Sequence, residues 1–316
     1  MRISGFSFGK NVTKLYYPVK EAVMSILPIV DEFVFALGAG DEDDDTRELL
    51  ESINSPKLKI VDTVWDIETY PRGMENAHQT DIAKSHCTGD WLFYVQADEV
   101  VHEKYLPVIQ ARCEELLPRE EVEGLLFNYK HFWGDYDHYQ LAHGWYKKEI
   151  RIVRNRSDIH SWESAQSFRR IPEFDGLNYR QQQGTHKLKV APVDAEIFHY
   201  GWVRPPQMMR KKTRSLDTIH KGAQKVGEMY QHLPPAFDYG NLSKLARFTD
   251  THPAVMEDFI ARFDWQDQLQ YSGPTQPGRA LHKHETLKNR VVTFLEQHVF
   301  GGKELFPFKN YELIQP

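Results

Sequence analysis

A run of apolar and aromatic residues, Trp91 to Val95, ends in the polar tip Gln96-Ala97-Asp98-Glu99. Apolar runs of this length are typical of a buried parallel strand. In open α/β sheets, ligands bind beyond the carboxyl ends of such strands. Two adjacent carboxylates there can hold a hard divalent cation, which prefers oxygen ligands and often carries substrate phosphates with it. The alternative interpretation is an acidic turn that follows a core strand.

A second group of residues with chemical potential is cationic. Five positive charges lie within eleven positions: Arg204, Arg210, Lys211, Lys212 and Arg214. Arginine forks match phosphate oxygens and lysine supplies a point charge, so we expect one or two of these side chains to contact a phosphate. The same cluster could instead face an anionic membrane surface, and a solvated helix face is the default for the other side chains.

Alternating strand-like and helix-like segments over residues 1 to about 125 predict the sheet that positions these side chains. The expected strands of this half are Arg2–Phe8, Phe33–Leu37, Lys57–Val64 and the Trp91 run. The expected helices begin after Pro18 and Asp45, and cover 75–86 and 105–116.

From Gly124 onward the pattern becomes richer in strands, with candidates at Leu125–Phe132, Glu149–Val153 and Glu196–Tyr200. Beyond Pro205 an apolar stripe from Met209 to Tyr230 predicts one packed helix, and another helix is expected over 287–298. The predicted fold class is therefore α/β, with a mixed, mostly parallel sheet flanked by helices and a C-terminal helical extension.

Composition restricts the classes of protein. The 316 residues are 41% hydrophobic and 27% charged, which suits one large or two ordinary globular domains. The net charge of −6 argues against general nucleic-acid binding. Cys87 and Cys113 are too few for a disulfide framework or a thiolate zinc site. We recognise no signal peptide and no spanning apolar stretch, so the cytoplasm, or the inner face of a membrane, is the expected location.

The segment from Gly89-Asp90-Trp91 to Ala97-Asp98-Glu99 resembles the DxD region of family 2 glycosyltransferases, which have the GT-A fold. The usual pattern in that family is an aspartate, a small residue and then Asp-Glu. This chain carries Gln96 at the position of the first aspartate. The resemblance implies that Asp98 is a catalytic residue and metal ligand, and that Mn²⁺ or Mg²⁺ is the cofactor.

The segment Ile197–Trp202 contains His199-Tyr200-Gly201 and resembles a motif that closes the catalytic domain in several branches of the family. The histidine of that motif faces the donor diphosphate or its metal. Imidazole is a reasonable manganese ligand beside carboxylate and phosphate oxygens. Taken alone, a histidine on a strand is more often a hydrogen-bonded core residue. The resemblance makes His199 the second predicted metal ligand.

The resemblance also implies contacts with the nucleotide sugar. In the family an Asp-rich loop after the second strand meets the base, and this chain has an acidic cluster over 41–45, although Gly38-Ala39-Gly40 replaces the usual aspartate-led turn. The family often carries Arg-Asn where this chain has Thr80-Asp81, so a neutral or acidic contact would replace the arginine. The predicted donor contacts are Ser7, Asp41, Asp45, Gln79, Asp81, Gln96, Arg204 and Lys212.

Inverting transfer needs a carboxylate that takes the proton of the acceptor hydroxyl. Related branches place a His-Glu pair where this chain has Ala165-Gln166, and Glu163 is the nearest candidate base, with His160 behind it. Both could instead be exposed loop residues. Amphipathic rings suit sugar faces as well as cores, so we expect one or two of the following to contact the acceptor: Trp133, Tyr136, Tyr139, Trp145, Tyr146 and Trp162.

These features predict a GT-A-like glycosyltransferase that moves a sugar from a nucleoside diphosphate, with UDP favoured, to a glycan, lipid or other acceptor. Residues 1–203 would form the catalytic domain, with a donor half over 1–125 and an acceptor half over 126–203, and 204–316 a mainly helical extension. One alternative is a nucleotidyltransferase, although Ser7–Asn11 is a poor version of its glycine-rich loop. The other is a catalytically impaired nucleotide-binding or scaffold protein on the same fold, which Gln96 favours. We expect no nucleic-acid partner and no transmembrane segment, while peripheral membrane contact and homo-oligomer formation stay open.

Overall fold

The structure, a computed structural model, describes residues 1–274, 279–305, 307 and 309–315. The strands are β1 (Ile3–Gly9), β2 (Glu32–Gly38), β3 (Leu58–Thr63), β4 (Trp91–Tyr94), β5 (Glu99–Val101), β6 (Gly124–Trp133), β7 (His138–Gln140), β8 (Lys148–Arg154), β9 (Ile159–Trp162), β10 (Ser167–Arg170), β11 (His186–Trp202), β12 (Ala246–Arg247) and β13 (Tyr311–Leu313). The helices are α1 (Val19–Ile26), α2 (Thr46–Glu51), α3 (Met74–Ser85), α4 (Leu106–Leu116), α5 (Pro206–Lys221), α6 (Ala223–Tyr230), α7 (Glu257–Ile260) and α8 (Leu287–Phe294).

The first half of the sheet is parallel, as the alternating pattern predicts. Its strands run in the order β3-β2-β1-β4, with β1 parallel to both β2 and β4. Side chains of β4 alternate between two apolar clusters on opposite faces, Trp91 and Phe93 in one and Leu92 and Tyr94 in the other. Because parallel strands end at the same edge, the segments after β1, β2 and β4 meet there.

The prediction of a mostly parallel sheet is wrong, because the sheet as a whole is mixed. Strand β8 lies antiparallel between β4 and β6, and β11 lies parallel to β6 but antiparallel to β5 and β10. The chain passes from β6 through β7 to β8 with no crossover helix. Strands joined without such a helix pair antiparallel, since a parallel connection must run back along the sheet.

Strand β11 is much longer than the predicted segment Glu196–Tyr200. It covers 17 residues, and its pairing with β6 shifts register between Pro192 and Glu196 and again between His199 and Trp202. In this register His199 lies beside His131 of β6 on one side and beside Glu99 of β5 on the other. The register of β11 therefore decides which groups surround His199.

The apolar stripe from Met209 to Tyr230 forms two helices and not the single predicted one. Gly222 separates α5 from α6 and has a φ of 86°, a conformation that ends a right-handed helix. After α6 the described chain is largely irregular until α8. One π-helical turn over 295–299 continues α8. In the described ranges, none of the helices combines the length and the apolar character that crossing a membrane requires.

Candidate donor-binding cleft

A cleft of about 1020 Å³ opens at the carboxyl ends of β1 and β4. The segments after these strands form its floor, the turn over 163–166 forms one wall, and α5 forms another. Of the residues predicted as catalytic groups, metal ligands or donor contacts, five line this cleft: Gln96, Asp98, Glu163, His199 and Lys212. This position is the one that the strand-end rule predicts for a ligand site.

Asp98 and His199 converge on the floor of the cleft. The backbone N–H of Tyr200 donates to the carbonyl oxygen of Asp98 at 2.8 Å, which joins the tip of β4 to β11. Both side chains are buried, and the Oδ1 atom of Asp98 lies 3.8 Å from Nε2 of His199. Two segments that are a hundred residues apart in sequence thus present a carboxylate and an imidazole to one point.

The hydrogen bonds of His131 determine which nitrogen of His199 carries the proton. The carbonyl oxygen of Tyr146 can only accept, so Nε2 of His131, at 2.8 Å, is the donor. Burial lowers the pKa of His131 to about 4, so its ring is neutral and its Nδ1 is a lone pair. Nδ1 of His199 lies 2.9 Å from that lone pair and must donate to it. Burial also lowers the pKa of His199 well below its usual range, so its Nε2 carries a lone pair that faces Asp98.

Gly201 leaves the space in front of these two electron donors open. A Cβ atom at this position would overlap Nε2 of His199 and would lie 2.9 Å from Oδ2 of Asp98. Glycine is therefore needed at this position because His199 and Asp98 leave no room for a side chain. Its backbone conformation does not require glycine, since its φ is not positive.

Lys212 of α5 supplies a positive charge beside Asp98. Its Nζ atom donates to Oδ2 of Asp98 at 3.0 Å and to the carbonyl oxygen of Gly201 at 2.7 Å. Burial, followed by the nearby Arg204 charge, lowers the pKa of Lys212 to about 8, although Asp98 opposes the change. Burial, the largest influence, would raise the pKa of Asp98, but Lys212, His199 and Arg204 together outweigh it and hold that pKa well below its usual range. Asp98 is therefore an ionised carboxylate at neutral pH.

The residues on the floor of the cleft fit a divalent cation, but only as part of its ligand set. Ligand atoms of an octahedral ion with bonds near 2.1 Å lie about 3 Å apart when adjacent and about 4 Å apart when opposite. The 3.8 Å between Oδ1 of Asp98 and Nε2 of His199 falls within this range, so both atoms can bind one ion. The residues whose placement is described contain no group of three or more His, Cys, Asp and Glu side chains suited to a metal. A cation held by Asp98 and His199 would need its other ligands from water or a substrate.

The neighbouring acid Glu99 has a structural contact and does not face the cleft. Its carboxylate accepts two hydrogen bonds of 2.7 Å from Arg151, and both side chains are fully buried. The hydroxyl of Tyr129 donates to the same carboxylate at 2.8 Å. Gln96, which replaces the usual aspartate, donates from Nε2 to the carbonyl oxygen of Ala165 at 3.0 Å. An ionised aspartate could not donate this bond, which ties the tip of β4 to the wall that carries Glu163.

Glu163 lies on the turn between β9 and β10, and both it and Ala165 have a positive φ. Its carboxylate lines the cleft and is 3.8 Å from the guanidinium of Arg180. The turn is held from the other side by the hydroxyl of Ser164, which accepts from Asn76 at 3.0 Å and lies 3.3 Å from His220. The turn thus holds Glu163 at the cleft surface.

The other six predicted donor contacts do not line the cleft. Asp81 accepts hydrogen bonds from His160 at 2.7 Å and from the backbone of Ser161 at 2.8 Å, and so joins α3 to β9. Gln79 is buried and bonds to Thr63 and Glu75. Arg204 is buried, donates to the carbonyl oxygen of Gly201 at 2.6 Å and lies over the ring of Tyr17. Ser7 is buried in β1, Asp41 pairs with Lys14, and Asp45 begins α2.

Several residues that line the cleft were missed from the sequence. They are Lys10, Asn11, Tyr17, Trp65, Arg180 and Trp202. Lys211 and Arg214 of the predicted cationic cluster also line the cleft. Trp65 follows the end of β3, and its buried indole Nε1 has no hydrogen-bond partner among the described residues. The strand-end rule applied to β1 and β3 would have indicated Lys10 and Trp65. Of the aromatic residues predicted as acceptor contacts, Trp145 and Tyr146 line the cleft.

No protein-family model and no curated protein matches the chain. Among solved structures it is similar to S. aureus TarS 1–349, with 16% identity and a TM-score of 0.39 over 69% of this chain and 65% of that chain. It is also similar to glucosyl-3-phosphoglycerate synthase from Mycobacterium tuberculosis in complex with Mn²⁺, UDP and phosphoglyceric acid, with 16% identity and a TM-score of 0.30 over 40% of this chain and 43% of that chain. The chain thus spans less than two thirds of each of these structures. The predicted similarity to GT-A glycosyltransferases is present, at low sequence identity.

Proposed function

We propose that the protein is a glycosyltransferase that uses a nucleoside-diphosphate sugar and a divalent cation. The observation that supports this most strongly is the arrangement of Asp98 and His199 on the cleft floor. An ionised carboxylate and an imidazole lone pair face each other across 3.8 Å, and Gly201 leaves the space in front of them open.

In this proposal Asp98 and His199 hold Mn²⁺ or Mg²⁺ against the donor diphosphate. The bound cation would supply charge neutralisation for the phosphates and for the departing nucleotide. Lys212 keeps Asp98 ionised and places a second positive charge at the same point of the cleft. Preorganised charge of this kind stabilises the negative charge that develops on the leaving group.

We place the nucleotide at the edge of the cleft that the segments after β1 and β3 form. UDP is the nucleotide that we favour. Trp65 offers its ring there, and Nζ of Lys10 lies 6.0 Å from the centre of that ring. Stacking on an aromatic ring binds a base without selecting it. The aromatic wall of Trp145, Tyr146 and Trp202 suits the apolar faces of sugars.

On the acceptor side we propose Glu163 as the base, in an inverting reaction. A carboxylate at the cleft surface can take the proton from an acceptor hydroxyl as that oxygen attacks the anomeric carbon. The bond from the anomeric carbon to the diphosphate oxygen breaks as the new glycosidic bond forms on the opposite face. Arg180, 3.8 Å from Glu163, is placed to orient the carboxylate.

Replacing Asp98 by alanine tests this function. Transfer should fall at least about 100-fold, because the variant loses the carboxylate that holds the cation. The folded fraction at 25 °C should stay unchanged. The matched control is Asp62→Ala, which removes an exposed carboxylate that pairs with Arg47 on the protein surface. Donor turnover would be followed as release of nucleoside diphosphate from a panel of nucleotide sugars. Wild-type rates in Asp98→Ala would exclude the proposed role of Asp98.

The same panel separates the two alternatives. Binding of UDP or GDP that depends on Mn²⁺, together with release of nucleoside diphosphate from a sugar donor, supports a glycosyltransferase. A chain that binds no nucleotide under any of these conditions would be a scaffold. Release of pyrophosphate from a nucleoside triphosphate would indicate a nucleotidyltransferase.

A further inference from the structure

One face of α8 and of the turn that follows it exposes large apolar side chains. Their exposed fractions are 75% for Leu287, 52% for Val291, 59% for Phe294, 60% for Val299 and 45% for Phe300. Leu287, Val291 and Phe294 are spaced so that they share one side of the helix. We call these five residues the α8 patch. Contiguous exposed apolar residues of this size mark an interaction surface more often than a free one.

The opposite side of α8 is fixed to the body of the protein, so the patch belongs to an anchored helix. The hydroxyl of Thr293 accepts from the backbone N–H of His143 at 2.8 Å. The carboxylate of Glu296 is fully buried and bonds to Nδ1 of His143 at 2.9 Å and to the backbone N–H of Leu305 at 2.8 Å. These contacts hold the loop over 141–147, which carries Trp145 and Tyr146 into the cleft.

The exposed charged residues next to the patch in sequence are cations: Lys283, Lys288, Arg290 and Lys303. The acid that follows them, Glu304, is half-buried. The acids between residues 281 and 303, Glu285 and Glu296, are both buried. This surface is therefore apolar and cationic in a chain whose net charge is −6.

We propose that the α8 patch docks on the surface of an anionic lipid bilayer. A helix with an apolar side and flanking Lys and Arg residues lies in the plane of the membrane interface, where its apolar side chains enter the acyl boundary and its cations meet anionic headgroups. A second copy of the chain is a poorer occupant. Pairing about a two-fold axis would place Lys288 and Arg290 of one copy near the same cations of the other. The inference does not depend on the proposed function.

Co-sedimentation of the full chain with lipid vesicles tests this proposal. The chain should bind vesicles of phosphatidylcholine mixed with phosphatidylglycerol, should bind phosphatidylcholine alone at least about tenfold more weakly, and should dissociate as salt rises. The double variants Val291→Ser/Phe294→Ser and Lys288→Glu/Arg290→Glu should each bind the mixed vesicles at least about tenfold more weakly. The control Val108→Ser/Leu177→Ser, which removes exposed apolar residues elsewhere, should bind as the wild type does.

Three results would overturn the proposal. The first is wild-type binding by both patch variants, and the second is no binding of the wild type to mixed vesicles. The third is a concentration-dependent dimer in light scattering that Val291→Ser/Phe294→Ser abolishes, which would make the patch an interface between copies. The charge variant leaves every apolar contact in place, so the test stands even if the serine variant is unstable.

Discussion

At the scale of single residues, three neighbours at the tip of β4 have different roles. Asp98 faces the cleft, Glu99 forms a buried ion pair with Arg151, and Gln96 donates a hydrogen bond to the carbonyl oxygen of Ala165. The position of Asp98 at the end of an apolar strand predicted that it would face a ligand site, and the His-Tyr-Gly resemblance predicted the same for His199. It could not predict the role of His131, because that role depends on the register between β6 and β11.

Replacing His131 by phenylalanine should weaken Mn²⁺ binding about 10- to 100-fold, as is typical when a hydrogen-bond partner of a metal ligand is removed. The variant removes the acceptor that keeps the proton of His199 on Nδ1, so the Nε2 lone pair is no longer favoured. Mn²⁺ binding would be measured by electron paramagnetic resonance, and the tautomer of His199 by ¹⁵N NMR.

The control for His131 is asparagine, whose amide can both donate to Tyr146 and accept from His199. It should recover part of the lost Mn²⁺ affinity. The assignment of His131 as a positioning residue would fail if His131→Phe changed neither the tautomer of His199 nor the affinity for Mn²⁺.

Gly201→Ala should abolish metal-dependent nucleotide binding while the protein still folds. The added Cβ would fill the space between Nε2 of His199 and Oδ2 of Asp98. Gly227→Ala is the matched control, since a Cβ at Gly227 in α6 meets no atom within 4 Å. Calorimetric titration of UDP in the presence of Mn²⁺ would compare the two variants, and equal affinities would contradict the proposed crowding.

At the scale of elements, the sequence predicted the parallel half of the sheet well because its strands alternate with amphipathic helices. The antiparallel insertion of β8 and the length of β11 could not be predicted in the same way. Strand pairing between distant segments leaves no local periodicity, and the polar residues in the first part of β11 hide a strand that is exposed on one side. The break between α5 and α6 at Gly222 could have been predicted, since glycine commonly follows the end of a helix.

Glu32 of β2 connects elements of the parallel half and should make the fold sensitive to acid. It accepts hydrogen bonds from Ser4 of β1 and from the backbone N–H of Thr88, and it pairs with Lys59 of β3. Burial alone would raise the pKa of Glu32, but the bonds from Lys59, Thr88 and Ser4 together lower it to about 2 from its ordinary 4.5.

Because the folded pKa of Glu32 is the lower one, its stabilising contribution is complete above about pH 4.5 and is lost as the pH falls toward 2. Glu32→Gln should therefore lower the free energy of unfolding by about 2–3 kcal/mol at pH 7, and by much less at pH 2 to 3. Urea unfolding across this pH range would measure the difference. Glu68→Gln, an exposed acid, is the control. A Glu32→Gln effect that does not change with pH would contradict the assignment.

At the scale of the whole molecule, the cleft combines contributions from distant parts of the chain. The parallel half supplies its floor, β11 supplies His199, and α5 supplies Lys212. The C-terminal segment fixes the loop that carries Trp145 and Tyr146, through Thr293 and Glu296. A motif-based prediction located the floor, because the DxD-like and His-Tyr-Gly segments are local in sequence. Of the walls it indicated only some residues, such as Glu163 and Lys212, because residues such as Tyr17 and Arg180 join the cleft only in the folded chain.

The central claim is that Asp98 and His199 form one cation site together with the diphosphate of a nucleotide. Its most direct test is a calorimetric double-mutant cycle, in which UDP is titrated with and without Mn²⁺ into the wild type, Asp98→Ala, His199→Ala and the double variant. We expect Mn²⁺ to strengthen UDP binding in the wild type, each single variant to lose most of that gain, and the double variant to lose little more than either. Equal UDP affinity with and without Mn²⁺ in the wild type, or strictly additive losses in the two variants, would contradict the claim.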